Sequence, residues 1–249
     1  MPVYIKRLDV IDSTNRYVRD EATALWSEAC GRDIVAVMAR HQTAGRGQRG
    51  NSWLSHGGSN LLLSILVRPG DVLKVAEQFL LSQAVAVAMH RAMKVYGIDV
   101  RLKWPNDIYV DGRKLAGILV ELDYSASHVE QAIIGIGLNV NQTEFPQMDR
   151  VPVSMKMLVG EEVAVDDVLA TVLSSFRHCY AMLQHGEASA IAEEYRSLLL
   201  GLGEERRFID AGGEFMAVVE GVEPAGALLL RRCDGTLKRY MFKEVEQPM

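Results

Sequence analysis

Residues Gly45-Arg46-Gly47-Gln48-Arg49-Gly50 place three glycines in a GxGxxG spacing, with two guanidinium groups among them. Without Cβ atoms, the backbone N–H groups of such a loop can approach an anion closely, and Arg46 and Arg49 add cationic donors. A dinucleotide fold would need a helix directly after the glycines. Asn51-Ser52-Trp53-Leu54-Ser55-His56-Gly57-Gly58 lacks a helical pattern, so the Rossmann reading is rejected. No GxxxxGK[ST] sequence is present either, so a nucleotide phosphate would be met here by arginines on a flexible loop. Taken alone, the segment fits an exposed hairpin loop with solvated arginines equally well. Downstream, Lys103-Trp104-Pro105-Asn106-Asp107 gathers Lys, Asn and Asp around a Trp-Pro step, where proline stiffens the turn that presents them. In Lys114-Leu115-Ala116-Gly117 a further lysine stands beside small residues that let a ligand lie against the backbone. Two lysines near one cleft suit adenylate chemistry; an ion pair supporting the turn is the plainer alternative for Lys103 and Asp107.

These groups need a scaffold. Val3 to Val10 reads as a strand, and Asp12-Ser13-Thr14-Asn15 supplies oxygen-bearing side chains suited to cap a helix beginning near Arg16. Ile34 to Ala39 and Leu61 to Val67 are further strands, and the polar, glycine-rich segment His41 to Asn60 between them is long enough to be a working loop. Val72 to Tyr96 fits a long, largely buried helix ended by Gly97. Asp111-Gly112 between Asp107–Val110 and Lys114–Glu121 is a hairpin signal, and Gln131 to Val140 supplies the next strand of a mixed sheet. Asp166 to Gln184 and Glu187 to Leu200 are amphipathic helices, after which Arg206 to Val245 breaks into short strands at Gly212-Gly213, Pro224 to Gly226 and Asp234-Gly235. The expected organisation is α+β, with a first domain over 1–202 and a small β domain over 203–249.

The chain has 249 residues, 49% of them hydrophobic, enough for at least one substantial core. A formal net charge of -5 lacks the basic excess of a dedicated nucleic-acid binder, so DNA is not an expected partner. Cys30, Cys179 and Cys233 form no CxxC pair, which suggests reduced thiols rather than disulfides, and the six scattered histidines give no protein-only transition-metal site. No signal-like leader and no membrane-length apolar run is found, so a cytoplasmic location is expected and no membrane partner.

Five ordered blocks resemble the catalytic region of biotin protein ligases: DSTN at 12–15, QTAGRGQRGNSW at 42–53, KWPNDI at 103–108, RKLAGILVE at 113–121 and GIGLNVN at 135–141. The terminal stretch with Gly226-Ala227-Leu228-Leu229-Leu230 is similar to the family's small SH3-like C-terminal domain. The resemblance implies a mixed-sheet catalytic domain that activates biotin with ATP and Mg2+ as an adenylate, then biotinylates a lysine of a biotin carboxyl carrier protein. It implies that Ser13, Thr14, Asn15 and Gln42 surround the biotin head group and that Gly45, Arg46, Gly47 and Gln48 form the loop over its carboxylate. Gly117, Gly135 and Gly137 would keep the biotin pocket open, with simple relief of crowding in a strand the alternative for Gly135 and Gly137. Lys114 would stand at the biotin carboxylate and adenylate phosphate as the foremost catalytic residue, joined by Lys103, Asp107 and Arg46. Arg46, Arg49, Trp53, Asn106, Lys114 and Asn139 would meet ATP. Simple capping remains the alternative for Ser13 and Thr14, and core packing for Trp53.

Gln48 and Asn51 depart from the arginines that many family members carry there, and an uncharged Gln48 suggests looser retention of the adenylate. With DSTN beginning at residue 12, no room is expected for the N-terminal DNA-binding domain of repressor-type relatives. A lipoate or octanoate ligase of related fold is the alternative enzyme, and a non-catalytic biotin-binding module the alternative of another class. Exposed sheet edges could pair two subunits in a homodimer.

Overall fold

The computed structural model describes residues 2–146 and 151–248. Eight strands form the first sheet: β1 (Val3–Ile11), β2 (Ile34–Gln42), β3 (Leu61–Val67), β4 (Gly70–Lys74), β5 (Arg101–Lys103), β6 (Asp107–Val110), β7 (Arg113–Tyr124) and β8 (His128–Leu138). Their order is β1-β2-β3-β8-β7-β6-β5, with β4 also on β8. Only β1 and β2 run parallel; the other pairs are antiparallel, which makes the expected mixed sheet. Strand β3 lies in the middle with helices over both faces, so it reads LLLSILV and is buried throughout instead of alternating.

The helices are α1 (Thr14–Asp20), α2 (Ala22–Glu28), α3 (Phe79–Val95), α4 (Met155–Val159), α5 (Val165–Gln184) and α6 (Ala188–Ser197). Helices α3, α5 and α6 cover one face over the larger core, where Val85, Met89 and Met93 of α3 join Leu63 and Ile65 of β3 and Phe176 of α5. On the other face, Val18 of α1 and Leu25 of α2 pack on Val35, Val37, Leu66 and Ile133.

The long helix is shorter than the periodicity of Val72 to Tyr96 suggests. Residues 70–74 pair with β8, residues 75–77 make a 3-10 turn, and α3 starts at Phe79. Gly70 adopts a left-handed φ of 56°, and the β-branched Val72 lies in the strand, so tertiary pairing overrides the helical pattern there. Gly97, at φ 70°, ends the helix as expected. Asp111 and Gly112 both have positive φ, 48° and 74°, which suits the tight β6–β7 hairpin.

A second, antiparallel sheet follows: β9 (Glu205–Asp210), β10 (Gly213–Val222), β11 (Leu228–Arg232), β12 (Leu237–Tyr240) and β13 (Val245–Glu246), in the order β12-β11-β10-β9-β13. This is the small C-terminal β unit expected from the broken strand pattern, and the α+β class holds. Its buried Phe208, Val219, Leu230 and Tyr240 continue the larger core. The Trp104 indole N–H donates to the Gly226 carbonyl at 3.0 Å, tying the WPND turn to this sheet. Among the described residues no helix is long and apolar enough to cross a membrane.

Candidate active site

A cavity of about 1250 Å³, counted to its open mouth, lies where the β1–α1 turn, the glycine-rich segment, the WPND turn and the C-terminal sheet meet. Ser13, Thr14, Asn15, Gln42, Arg46, Gly47, Gln48, Trp53, Lys103, Asn106, Asp107, Lys114, Gly117, Gly135 and Gly137 all line it, although they are spread over 125 positions of sequence, from 13 to 137.

The polar wall is built from DSTN. Ser13 occupies the N-cap position of α1, yet its side chain makes no capping hydrogen bond. Thr14 and Asn15, each 3% exposed, turn inward. The Thr14 N–H donates to Gln42 Oε1 at 2.7 Å, and the Thr14 hydroxyl lies 3.0 Å from the same oxygen. Ser64 Oγ lies 2.8 Å from Thr14 Oγ1 and donates to Asn15 Oδ1 at 2.6 Å. With Gln42 Oε1 committed to the backbone, its Nε2 amide remains as a donor. The wall therefore offers a hydroxyl beside an amide N–H, a pairing that can read a group with both N–H and C=O.

Two sequence features aim Lys114. The register between β6 and β7 slips by one, pairing Ile108 with Ala116 but Tyr109 with Lys114, so Leu115 is bulged and Lys114 is redirected. Segment 151–153 then clamps its backbone: the Lys114 N–H donates to Val151 O at 2.8 Å, and the Val153 N–H to Lys114 O at 3.0 Å. Lys114 Nζ sits 2.8 Å from Asp107 Oδ1, whose side chain is 6% exposed, and 5.6 Å from the centre of the Trp53 ring. Lys103 Nζ lies 5.3 Å from the Tyr109 ring centre. A fixed cation paired with a buried carboxylate is the arrangement expected where negative charge builds on an acyl phosphate.

Besides lining the cavity, the glycines relieve crowding, the alternative reading of Gly135 and Gly137. A Cβ on Gly137 would lie 2.7 Å from Trp53 Cδ2 and 2.8 Å from Cζ2, and one on Gly117 would lie 3.2 Å from Trp53 Cζ3. The trough they leave holds the Trp53 indole, whose N–H is buried without a partner among the described residues. Gly135 makes room for a polar group instead: a Cβ there would fall 2.5 Å from Asn15 Oδ1.

Some expected site residues stand elsewhere. Asn139 is 4% exposed and not on the cavity wall; its Nδ2 donates to Val153 O at 3.1 Å and lies 3.5 Å from Lys114 O, so it braces the Lys114 backbone. Asn106 lines the cavity but spends its Nδ2 on Ile118 O at 2.7 Å, locking β6 to β7. Gly45 lines a neighbouring hollow with His41, Leu54 and Phe145, and its carbonyl accepts from the Trp53 backbone N–H at 2.9 Å. Arg49 contributes backbone to a 3-10 turn over 48–50, and its side chain lies outside the described residues. No group of three His, Cys, Asp or Glu side chains able to hold a metal occurs among the described residues.

Sequence reasoning passed over Ser64, Glu121 and the C-terminal contribution. Ser64, wholly buried, was signalled as the lone polar residue of an otherwise apolar strand. Glu121 accepts from Asn15 Nδ2 at 2.8 Å and lies 3.2 Å from Arg46 Nη2. Phe208, Phe242 and Glu246 of the C-terminal part reach the cavity across the chain, which no local pattern reveals.

Residues 8–139 match the Biotin/lipoate A/B protein ligase family. The chain belongs to this ligase family. Its similarity to curated family members runs beyond the matched region. It is 33% identical over 236 residues to the bifunctional ligase/repressor BirA of Bacillus subtilis, covering 93% of this chain and 70% of that protein. It is 32% identical over 230 residues to the biotin--[acetyl-CoA-carboxylase] ligase of Paracoccus denitrificans, covering 88% of this chain and 91% of the other. Among solved structures, the biotin protein ligase of Aquifex aeolicus in complex with biotin and ATP superimposes with a TM-score of 0.79 at 25% identity, over 98% of this chain and 99% of that one. The polar wall, the lysine–carboxylate pair and the glycine-rich loop of this ligase thus fall in one cavity of the family's fold.

Proposed function

We propose that the protein is an ATP-dependent biotin protein ligase, forming biotinyl-5'-AMP and transferring the biotinyl group to a lysine of a biotin carboxyl carrier domain. The observation that carries this reading is one cavity with two chemistries: the Thr14–Gln42 wall on one side and the Lys114–Asp107 pair on the other. A cyclic urea carries N–H groups and one carbonyl, which suits a hydroxyl acceptor and the Gln42 amide donor.

In the first step a biotin carboxylate oxygen attacks the α-phosphorus of ATP, and the bond to the β-phosphate breaks to release pyrophosphate. Lys114 stabilises the charge that gathers on the α-phosphoryl oxygens, with Arg46 and Lys103 completing the cationic lining. A magnesium ion bound to the nucleotide would supply charge neutralisation at its phosphates. In the second step the acceptor amine attacks the acyl carbon, AMP leaves, and Asp107 orients the amine or takes its proton. The glycine-rich loop shields the anhydride from water. We place the boundary to the C-terminal domain at residue 203, ahead of β9.

Without acceptor, incubation with biotin and α-labelled ATP is expected to yield biotinyl-AMP and equimolar pyrophosphate, separable by chromatography. Biotin binding with no pyrophosphate would mean a binding module, and adenylate formed from lipoate alone would reassign the substrate.

A further inference from the structure

Glu121 is outside the cavity lining, yet it touches the polar wall from behind. A carboxylate can only accept, so the 2.8 Å contact from Asn15 Nδ2 fixes the orientation of the Asn15 amide. Asn15 Oδ1 then faces Ser64 and can only accept, which commits the single Ser64 proton to it, at 2.6 Å. Toward Thr14, 2.8 Å away, Ser64 has only lone pairs left, so the Thr14 proton stays within the wall, on Ser64 or on Gln42 Oε1. What Thr14 shows the cavity is a lone pair. The inner links of the relay are buried, Ser64 at 0% and Thr14 and Asn15 at 3% exposure, while the Glu121 side chain at its outer end is 17% exposed. Gly135 is part of the device, because a Cβ there would push Asn15 Oδ1 out of line.

We propose that Glu121 is a specificity-determining positioning residue, which acts through Asn15 and Ser64 to hold the Thr14 hydroxyl as an obligate acceptor for a ligand N–H. The inference rests on the biotin-ligase reading and names the residue that polarises its head-group wall. Arg46 and Arg19, 3.2 and 3.4 Å from Glu121 Oε1, ion-pair with that carboxylate and tie the glycine-rich loop to the same point.

Glu121→Gln has nearly the same shape but can face Asn15 with either oxygen or nitrogen, so the Asn15 amide keeps only the longer 3.5 Å contact to the Leu119 carbonyl as a fixed acceptor, Ser64 becomes free to donate toward Thr14, and Gln42 Oε1 is left as the one acceptor in the wall for the Thr14 proton. Calorimetric titration with biotin is expected to show Kd raised about tenfold, with KM for biotin following and kcat and KM for ATP within about twofold of the parent. In a Thr14→Val background, where no hydroxyl remains to be polarised, Glu121→Gln is expected to cost nothing further. Unchanged biotin affinity in Glu121→Gln overturns the proposal, as does the same tenfold loss in the Thr14→Val background. Should Glu121→Gln not fold, Ser64→Ala cuts the relay one link nearer Thr14 and must weaken biotin similarly; its failure to do so overturns the proposal. A parent protein that binds no biotin overturns the ligase reading itself, which the same titration distinguishes.

Discussion

Gly137→Ala tests whether the strand glycines exist to seat Trp53. The added methyl would meet the indole at 2.7 Å from Cδ2 and 2.8 Å from Cζ2, with an even closer approach to Cε2. Carbon pairs rest at about 3.5–4.0 Å, so the ring must retreat by about 1 Å. The backbone cannot absorb this, because β8 is held between β3 and β7 and Gly137 pairs with both Leu62 and Gly117. Overpacking of this kind costs about 1–3 kcal/mol. For a chain of this size that lowers Tm by about 2–12 °C. Gly117→Ala, whose Cβ would lie 3.2 Å from Trp53 Cζ3, is expected to cost less than Gly137→Ala. Thermal melts of Gly137→Ala alone and with Trp53→Ala are the assay, since removing the indole removes the clash and the two effects should not add. A Gly137→Ala protein as stable as the parent, or an undiminished cost when Trp53 is gone, would refute the reasoning.

Lys114→Ala removes the cation 2.8 Å from Asp107 and is expected to slow adenylate formation by about a hundredfold to a thousandfold, read as biotin-dependent pyrophosphate release; a loss below about threefold would assign Lys114 a structural role. Gln48 lines the cavity without charge, so Gln48→Arg should slow escape of preformed biotinyl-AMP about tenfold in a trapping assay, and equal off-rates would sink that idea. Burial holds His90 below its ordinary value, outweighing the nearby Glu194 and Asp99, so the unfolded chain binds this proton more readily than the folded one. The stability gained from neutral His90 is full above about pH 6.5 and is lost as pH falls below it; His90→Gln should therefore flatten the decline of Tm between about pH 7 and pH 5, and an unchanged slope would remove His90 from the acid response.

Much of the frame could be read from local pattern. The Asp111-Gly112 turn, the helix stop at Gly97 and the β-rich tail each express backbone preferences that short segments carry by themselves. That Thr14, Gln42, Lys114 and Asp107 belong to one site was implied by the family resemblance; each block sits at a strand end or loop that the sheet order brings to one cavity. What escaped depends on contacts across the sheet. Glu121 looked like the end of a motif, and only the placement of Asn15 against β7 gives it a partner. Asn139 was read toward the nucleotide, but in the structure its amide is used on the backbone of residues 114 and 153. Gly137 suggested either open space or relief of strand crowding, and the neighbour that crowds it is a tryptophan more than 80 residues earlier in the chain. Side chains that satisfy distant partners leave no periodic trace in sequence.

The central claim is tested most directly by the mass of a biotin carboxyl carrier domain after incubation with the protein, biotin and Mg-ATP. The account predicts a gain of one biotinyl group on a single lysine, absent with Lys114→Ala and absent when lipoate replaces biotin. A folded acceptor that gains no mass while the protein demonstrably binds biotin would contradict it.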